Sequence, residues 1–168
     1  GHGVDLLVGQ LVAGDVSAVL HQVEVVELLH GGGCGGQGLD DGLIGDVQTA
    51  QCEVGFTPPR AADNRYFSKE LGGGALLDIG VYGFEILTFL IGQKLLDVKT
   101  LAYMSEETGV DCTGLLALRF EKCIASVIST FLADPEDRLT ISGKNGHIEI
   151  YNPINGKEAV LYVKGKEP

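Results

Sequence analysis

Gly72-Gly-Gly-Ala-Leu-Leu-Asp78-Ile-Gly-Val-Tyr82 is the stretch on which the reading of this 168-residue chain turns. A glycine triplet opens an apolar run that continues through Phe84, Ile86, Leu87, Phe89, Leu90 and Ile91 to Gly92. Such a run, stopped by glycine at both ends, predicts one long helix. Asp78 and Tyr82 are its polar exceptions, and residues four apart stack on one helical face. A carboxylate beside a phenol could share one proton-handling site. The spacing alone allows a plainer account: a carboxylate near a helix start is favoured by the helix dipole at roughly 0.3–1 kcal/mol, and Tyr82 could be a core-edge tyrosine whose hydroxyl Asp78 satisfies. Glu85, three residues further on, reads as a solvated helix residue.

Around this helix the pattern is that of strands. Ala50, Cys52, Val54 and Phe56 alternate with Thr49, Gln51, Glu53 and Gly55, the period of a half-buried strand. Pro58 and Pro59 end it and begin a loop to about Gly73. Beyond the helix, strands are predicted at Val98–Met104, Leu115–Phe120, Ala125–Leu132, Leu139–Ser142, His147–Tyr151 and Ala159–Val163. Lys144-Asn145-Gly146 is a hairpin turn by composition, and Asp111 reads as a turn residue before a strand. One long helix followed by a meander of strands is an α+β pattern: an open, mostly antiparallel sheet with one helix packed on one face. A single helix covers only one face, so apolar positions on the other, among them Val127 or Ile128 and Phe131 or Leu132, need another partner.

The net charge of −11 argues against non-specific nucleic-acid binding, which needs a basic footprint. Every lysine and arginine lies at or after Arg60, whereas eight acidic residues precede it. Residues 1–41 form an atypical Gly/Val/Leu-rich segment with a breaker of six glycines in the eight positions from Gly31 to Gly38. Its origin as native sequence is open. His30-Gly31-Gly32-Gly33 imitates an esterase oxyanion loop, but no GxSxG elbow accompanies it. The same glycines lack the strand–helix setting of a dinucleotide fingerprint. Cys34, Cys52, Cys112 and Cys123 are too scattered for a zinc or disulfide framework, so buried free thiols are expected. No apolar run is long enough to span a bilayer and the opening lacks the basic start of a signal peptide, so a cytoplasmic location is expected.

Several segments together resemble one family. They are Gly42-Leu-Ile-Gly-Asp-Val-Gln48, Val54-Gly-Phe-Thr-Pro-Pro59, the run from Asn64 through the glycine triplet to Tyr82, Glu107-Thr-Gly-Val-Asp111 and Ile141-Ser-Gly-Lys-Asn-Gly146. In that order they are similar to the glucose–fructose oxidoreductase (Gfo/Idh/MocA) family, and within it to the dihydrodiol dehydrogenase branch, which also oxidises D-xylose. The likeness covers residues 42–168 and implies the family's C-terminal substrate and dimerisation domain, incomplete at its own C-terminus.

The resemblance also implies a chemistry. Family members move a hydride between a nicotinamide cofactor, NADP in this branch, and a carbinol carbon of a diol or sugar. The tyrosine matching Tyr82 is the acid/base and Asp78 its neighbouring carboxylate; many members carry histidine at the Tyr82 position. A phenol titrating near pH 10 needs a nearby cation to act as a base at neutral pH. The family supplies it from a Glu-Lys-Pro motif in the nucleotide domain, and Lys166-Glu167-Pro168 has the wrong order. A nucleotide domain needs on the order of 100 residues, so this chain alone is expected to hold no NADP and to show no turnover. Homodimerisation through the uncovered sheet face is expected, with no nucleic-acid or membrane partner. Arg65 could meet a substrate hydroxyl or cofactor group, or form a surface ion pair with Asp63 or Glu70. Two non-dehydrogenase readings stay open: a non-catalytic scaffold or dimerisation subunit, and a sugar-binding module.

Overall fold

The structure, a computed structural model, describes residues 42–59, 64–155 and 158–166. The reading of residues 1–41 as a separate atypical segment lies outside them. Seven strands form one sheet: β1 (Val47–Gly55), β2 (Leu95–Met104), β3 (Asp111–Phe120), β4 (Ile124–Thr130), β5 (Arg138–Gly143), β6 (Gly146–Tyr151) and β7 (Glu158–Val163). The spatial order is β2-β3-β4-β1-β5-β6-β7. The expected open, mostly antiparallel sheet with one long helix is thus present, but it is not a simple meander. β1 inserts between β4 and β5, parallel to β4 with Cys52 opposite Val127 and antiparallel to β5 with Cys52 opposite Leu139. Every pairing in this sheet except that of β1 with β4 is antiparallel.

Period-two alternation assigns each strand two faces. Inward lie Ala50, Cys52 and Val54, Leu116 and Leu118, Ala125 and Val127, Leu139 and Ile141, and Ile148 and Ile150, all buried. They join Leu76, Ile79, Phe84, Ile86, Leu87 and Ile91 of the helical segment in one core. The helix lies close on the sheet: a Cβ at Gly83 would stand 2.9 Å from Cys52 Sγ and 3.0 Å from Val127 Cγ1. Gly92 ends it in the left-handed conformation, φ 59°, with its N–H donating to the carbonyl of Thr88.

The outward face is uncovered among the described residues. Leu101 and Tyr103 of β2 and Ile124 and Ile128 of β4 are exposed there, whereas Val127 and Phe131 are buried. The two alternatives for the second face therefore resolve to Ile128, within the strand, and Leu132, exposed just after it. Cys52 and Cys123 are buried free thiols and Cys112 is buried, and burial pushes the Cys52 thiol up to about 12. No helix among the described residues is long and apolar enough to cross a membrane.

Candidate functional site

The helical segment is not uniform. It begins with a π-turn, Leu76–Gly80, and continues as the α-helix α1, Val81–Ile91. Asp78 therefore sits inside the π-turn and Tyr82 in the first turn of α1. Single π-turns within helices are rare and concentrate at functional sites, because the extra residue re-aims side chains. The sequence spacing foresaw the helix but not this irregularity.

The loop before the helix is built to deliver Arg65. Asn64 accepts a hydrogen bond from the Tyr66 N–H at 3.1 Å and starts a short 3-10 helix, Arg65–Phe67. Tyr66 and Phe67 then pack edge-to-face against Phe131, with ring centroids 5.5 and 5.9 Å away, and Phe56 joins from the end of β1 at 5.2 Å. Aromatic pairs in this geometry add about 0.5–1.5 kcal/mol each beyond area burial. The loop is pinned to the sheet, and Arg65 projects from it. Gly73 comes back against this turn so closely that a Cβ would lie 2.6 Å from the carbonyl oxygens of Arg65 and Tyr66.

Arg65 meets Asp78. Its Nη1 donates to Asp78 Oδ1 at 2.6 Å, and its guanidinium carbon lies 4.4 Å from the centre of the Tyr66 ring. The Asp78 side chain is 12% exposed and that of Arg65 59%. The hydrogen bond and charge of Asp78 hold the guanidinium above its ordinary pKa. The surface pairings considered from sequence do not include this partner: Asp63 lies outside the described residues, and Glu70 instead accepts from Ser68 Oγ at 3.3 Å. Tyr82 is half-buried one turn along. No hydrogen bond among the described residues joins its hydroxyl to Asp78. The three residues singled out from sequence thus come together pairwise as Arg65 with Asp78, with Tyr82 adjacent along the helix.

Two neighbours differ from expectation. Glu85 is not solvated: it is 7% exposed, its Oε2 has no hydrogen-bond partner among the described residues, and burial raises its carboxyl above the usual range. Its place beside an exposed-looking polar stripe concealed that. Asp111 is not a turn residue but the first residue of β3, buried, and its carboxylate accepts from the Leu76 N–H at 2.7 Å. No local motif signals a contact across 35 positions.

A nicotinamide dinucleotide does not fit what is described. The one parallel strand pair of this sheet, β1 and β4, is connected through α1, β2 and β3, and the glycine triplet before the helix stands at residues 72–74, well beyond the end of β1 at Gly55, so no tight strand–glycine–helix turn cradles a pyrophosphate among the described residues.

Comparison with known proteins gives a consistent picture. Residues 37–149 match a family model described as the GFO/IDH/MocA C-terminal domain. The chain is similar to trans-1,2-dihydrobenzene-1,2-diol dehydrogenase of Xenopus laevis, 36% identical over 133 residues, which are 77% of this chain and 38% of that one. The human enzyme of the same name is 29% identical over 119 residues, 68% of this chain and 34% of its own length. The chain thus spans less than two-fifths of these relatives. Among solved structures, aldose–aldose oxidoreductase from Caulobacter crescentus, complexed with glycerol, superposes with a TM-score of 0.68 at 20% identity, covering 89% of this chain and 47% of that one. KijD10, a 3-ketoreductase from Actinomadura kijaniata in complex with NADP and TDP-benzene, gives 0.63 at 20% identity over 76% of this chain and 41% of that one.

Proposed function

The chain belongs to the GFO/IDH/MocA family, as its C-terminal domain, and from that premise we propose that it is the substrate half of an NADP-dependent oxidoreductase acting on a trans-dihydrodiol or D-xylose. Tyr82 is the acid/base for the carbinol hydroxyl. The carboxylate of Asp78, held by Arg65 at 2.6 Å, orients the polyol beside it, and Arg65, the more exposed partner, offers its remaining N–H groups to a substrate hydroxyl. The observation that carries this reading is the ion pair of Arg65 with Asp78 on the π-turn that opens the helix, with Tyr82 in the first turn that follows. Support comes from relatives named as dihydrodiol dehydrogenases and from a related fold seen with NADP. The cofactor comes from a nucleotide-binding half, together with the cation a phenol needs to take a proton. The working assembly is a cytoplasmic homodimer joined through the uncovered sheet face.

The test is a fusion of this chain behind the nucleotide-binding half of the Xenopus laevis relative, assayed by NADPH absorbance with D-xylose and a dihydrodiol. The fusion is expected to turn over and the chain alone not to. Tyr82→Phe is expected to lower kcat by about 10²–10⁴-fold, the usual scale of one acid/base group. Full turnover in Tyr82→Phe, or NADPH formed by the chain alone, would remove the assignment. A second reading, a non-catalytic dimerisation subunit, draws on the exposed Leu101, Tyr103, Ile124 and Ile128; it gains if the fusion is inert while the chain self-associates.

A further inference from the structure

The π-turn that carries Asp78 lacks any capping side chain of its own: its N-cap residue, Ala75, makes no side-chain hydrogen bond. A helix start leaves several N–H groups unsatisfied, and burying them without partners is costly. Here the partner arrives from the sheet. Asp111, at the first position of β3, accepts from the Leu76 N–H through Oδ2 at 2.7 Å, and the nearby N–H groups of Asp111 itself and of Ala75 also favour its ionised form. Gly74 makes room for it: with φ +122° and a Cβ that would overlap Asp111 Oδ1, this position excludes a side chain on both grounds. Burial of Asp111, 6% exposed, opposes its ionisation. Such a carboxyl is an expensive way to close a helix end when a local Ser or Thr would serve.

We propose that Asp111 is a positioning residue: anchored in the sheet, it fixes where the π-turn begins and hence the direction in which Asp78 projects toward Arg65. The proposal rests on the function proposed for those residues, but its geometric content stands apart from it. Asp111 touches neither the proposed acid/base nor its ion pair. It acts through the backbone of Ala75 and Leu76, at the start of the helical segment that carries Tyr82. The next link is the Asp78 N–H, which donates to the carbonyl of Gly74 at 3.0 Å, so the residue that yields space to Asp111 also accepts from Asp78. A shift at Asp111 is passed directly to the carboxylate that Arg65 grips.

The measurement is proton exchange at the Arg65 guanidinium, followed by NMR on the full 168-residue chain, well below the unfolding temperature. Asp111→Ala, and independently Gly74→Ala, are expected to speed that exchange about tenfold, the scale of losing one helix cap; Asp111→Asn, which keeps one acceptor oxygen, falls between. Tyr82→Phe leaves it unchanged. In the fusion enzyme Asp111→Asn lowers kcat while KM for NADP holds. Unaltered Arg65 exchange in folded Asp111→Ala and Gly74→Ala chains overturns the positioning role whatever the kinetics. Altered exchange combined with full turnover in Tyr82→Phe retains the positioning role and defeats only the functional assignment.

Discussion

Replacing Gly114 by alanine tests how tightly the site helix is seated, because Gly114 of β3 faces Leu76 at the start of the π-turn. A Cβ at Gly114 would overlap Leu76 Cγ outright and stand 2.6 and 2.8 Å from its two methyl carbons. Leu76 is 1% exposed and lies in the core, so it has nowhere to swing. Gly114→Ala is therefore an overpacking change, expected to cost about 1–3 kcal/mol. Leu76→Ala removes a fully buried side chain and is expected to cost about 2–5 kcal/mol. If the two effects were independent, the double variant would lose about 3–8 kcal/mol.

They should not be independent. Leu76→Ala deletes the atoms that the new methyl would strike, and that methyl then fills part of the vacated space. The double variant is expected to be no less stable than Leu76→Ala alone, a favourable coupling of about 1–3 kcal/mol. Urea unfolding followed by far-UV circular dichroism reads it as a shift in midpoint at constant slope. In thermal melts it appears as roughly 2–4 °C per kcal/mol for a chain of this size. Costs that add within about 0.5 kcal/mol would mean that Leu76 does not sit over Gly114, and the seat of the π-turn would need to be redrawn.

Glu85→Gln probes the buried, unpaired carboxyl. Because burial raises its folded pKa above the ordinary 4.5, the stability it contributes is present below the unfolded pKa and lost as pH rises through the folded value. Glu85→Gln should accordingly flatten the decline that sets in as pH rises above the ordinary 4.5 and exceed the unsubstituted chain in stability at the upper end; matching pH slopes in urea melts would exclude burial as the cause. Ile128→Asp, on the uncovered face where Ile128 is 37% exposed, is expected to convert the proposed dimer to a monomer in sedimentation velocity with little change in melting temperature, and an unchanged sedimentation coefficient would count against that face as the contact.

Which features were legible in the sequence follows from how local their causes are. Alternation at Ala50, Cys52 and Val54 placed β1 and its buried face correctly, since the period is a property of neighbouring residues. Its insertion beside β4 was hidden because alternation gives a strand its faces and not its neighbours. Gly92 marked the helix end through its own φ. The hairpin at Lys144-Asn145-Gly146 was found for the wrong reason: neither Asn145 nor Gly146 has positive φ. Glycine is needed at 146 because a Cβ there would strike the carbonyl oxygen of Tyr162. The π-turn leaves almost no trace in composition, since it is a slip of hydrogen bonding by one residue. Glu85 and Asp111 were misjudged for a common reason, namely that burial and a contact across 35 positions are decided by tertiary packing.

The same distinction bears on what the domain does unaided. Arg65 is a cation that the motif itself supplies, and its bond at 2.6 Å is to Asp78. Two opposite charges so joined cancel each other's field at a short distance. Tyr82 follows Asp78 by one helical turn, with no hydrogen bond from either member of that pair among the described residues. Base chemistry by a phenol at neutral pH requires a cation that stabilises its anion. The proposed division of labour follows: this domain contributes geometry and the proton-carrying oxygen, and a cation from a nucleotide-binding half completes the base. Arg65→Gln would then weaken substrate orientation more than proton transfer, raising KM for the polyol in the fusion enzyme more than it lowers kcat. A dominant loss of kcat would instead make Arg65 itself the cation that stabilises the phenolate, leaving none to be supplied by the nucleotide-binding half.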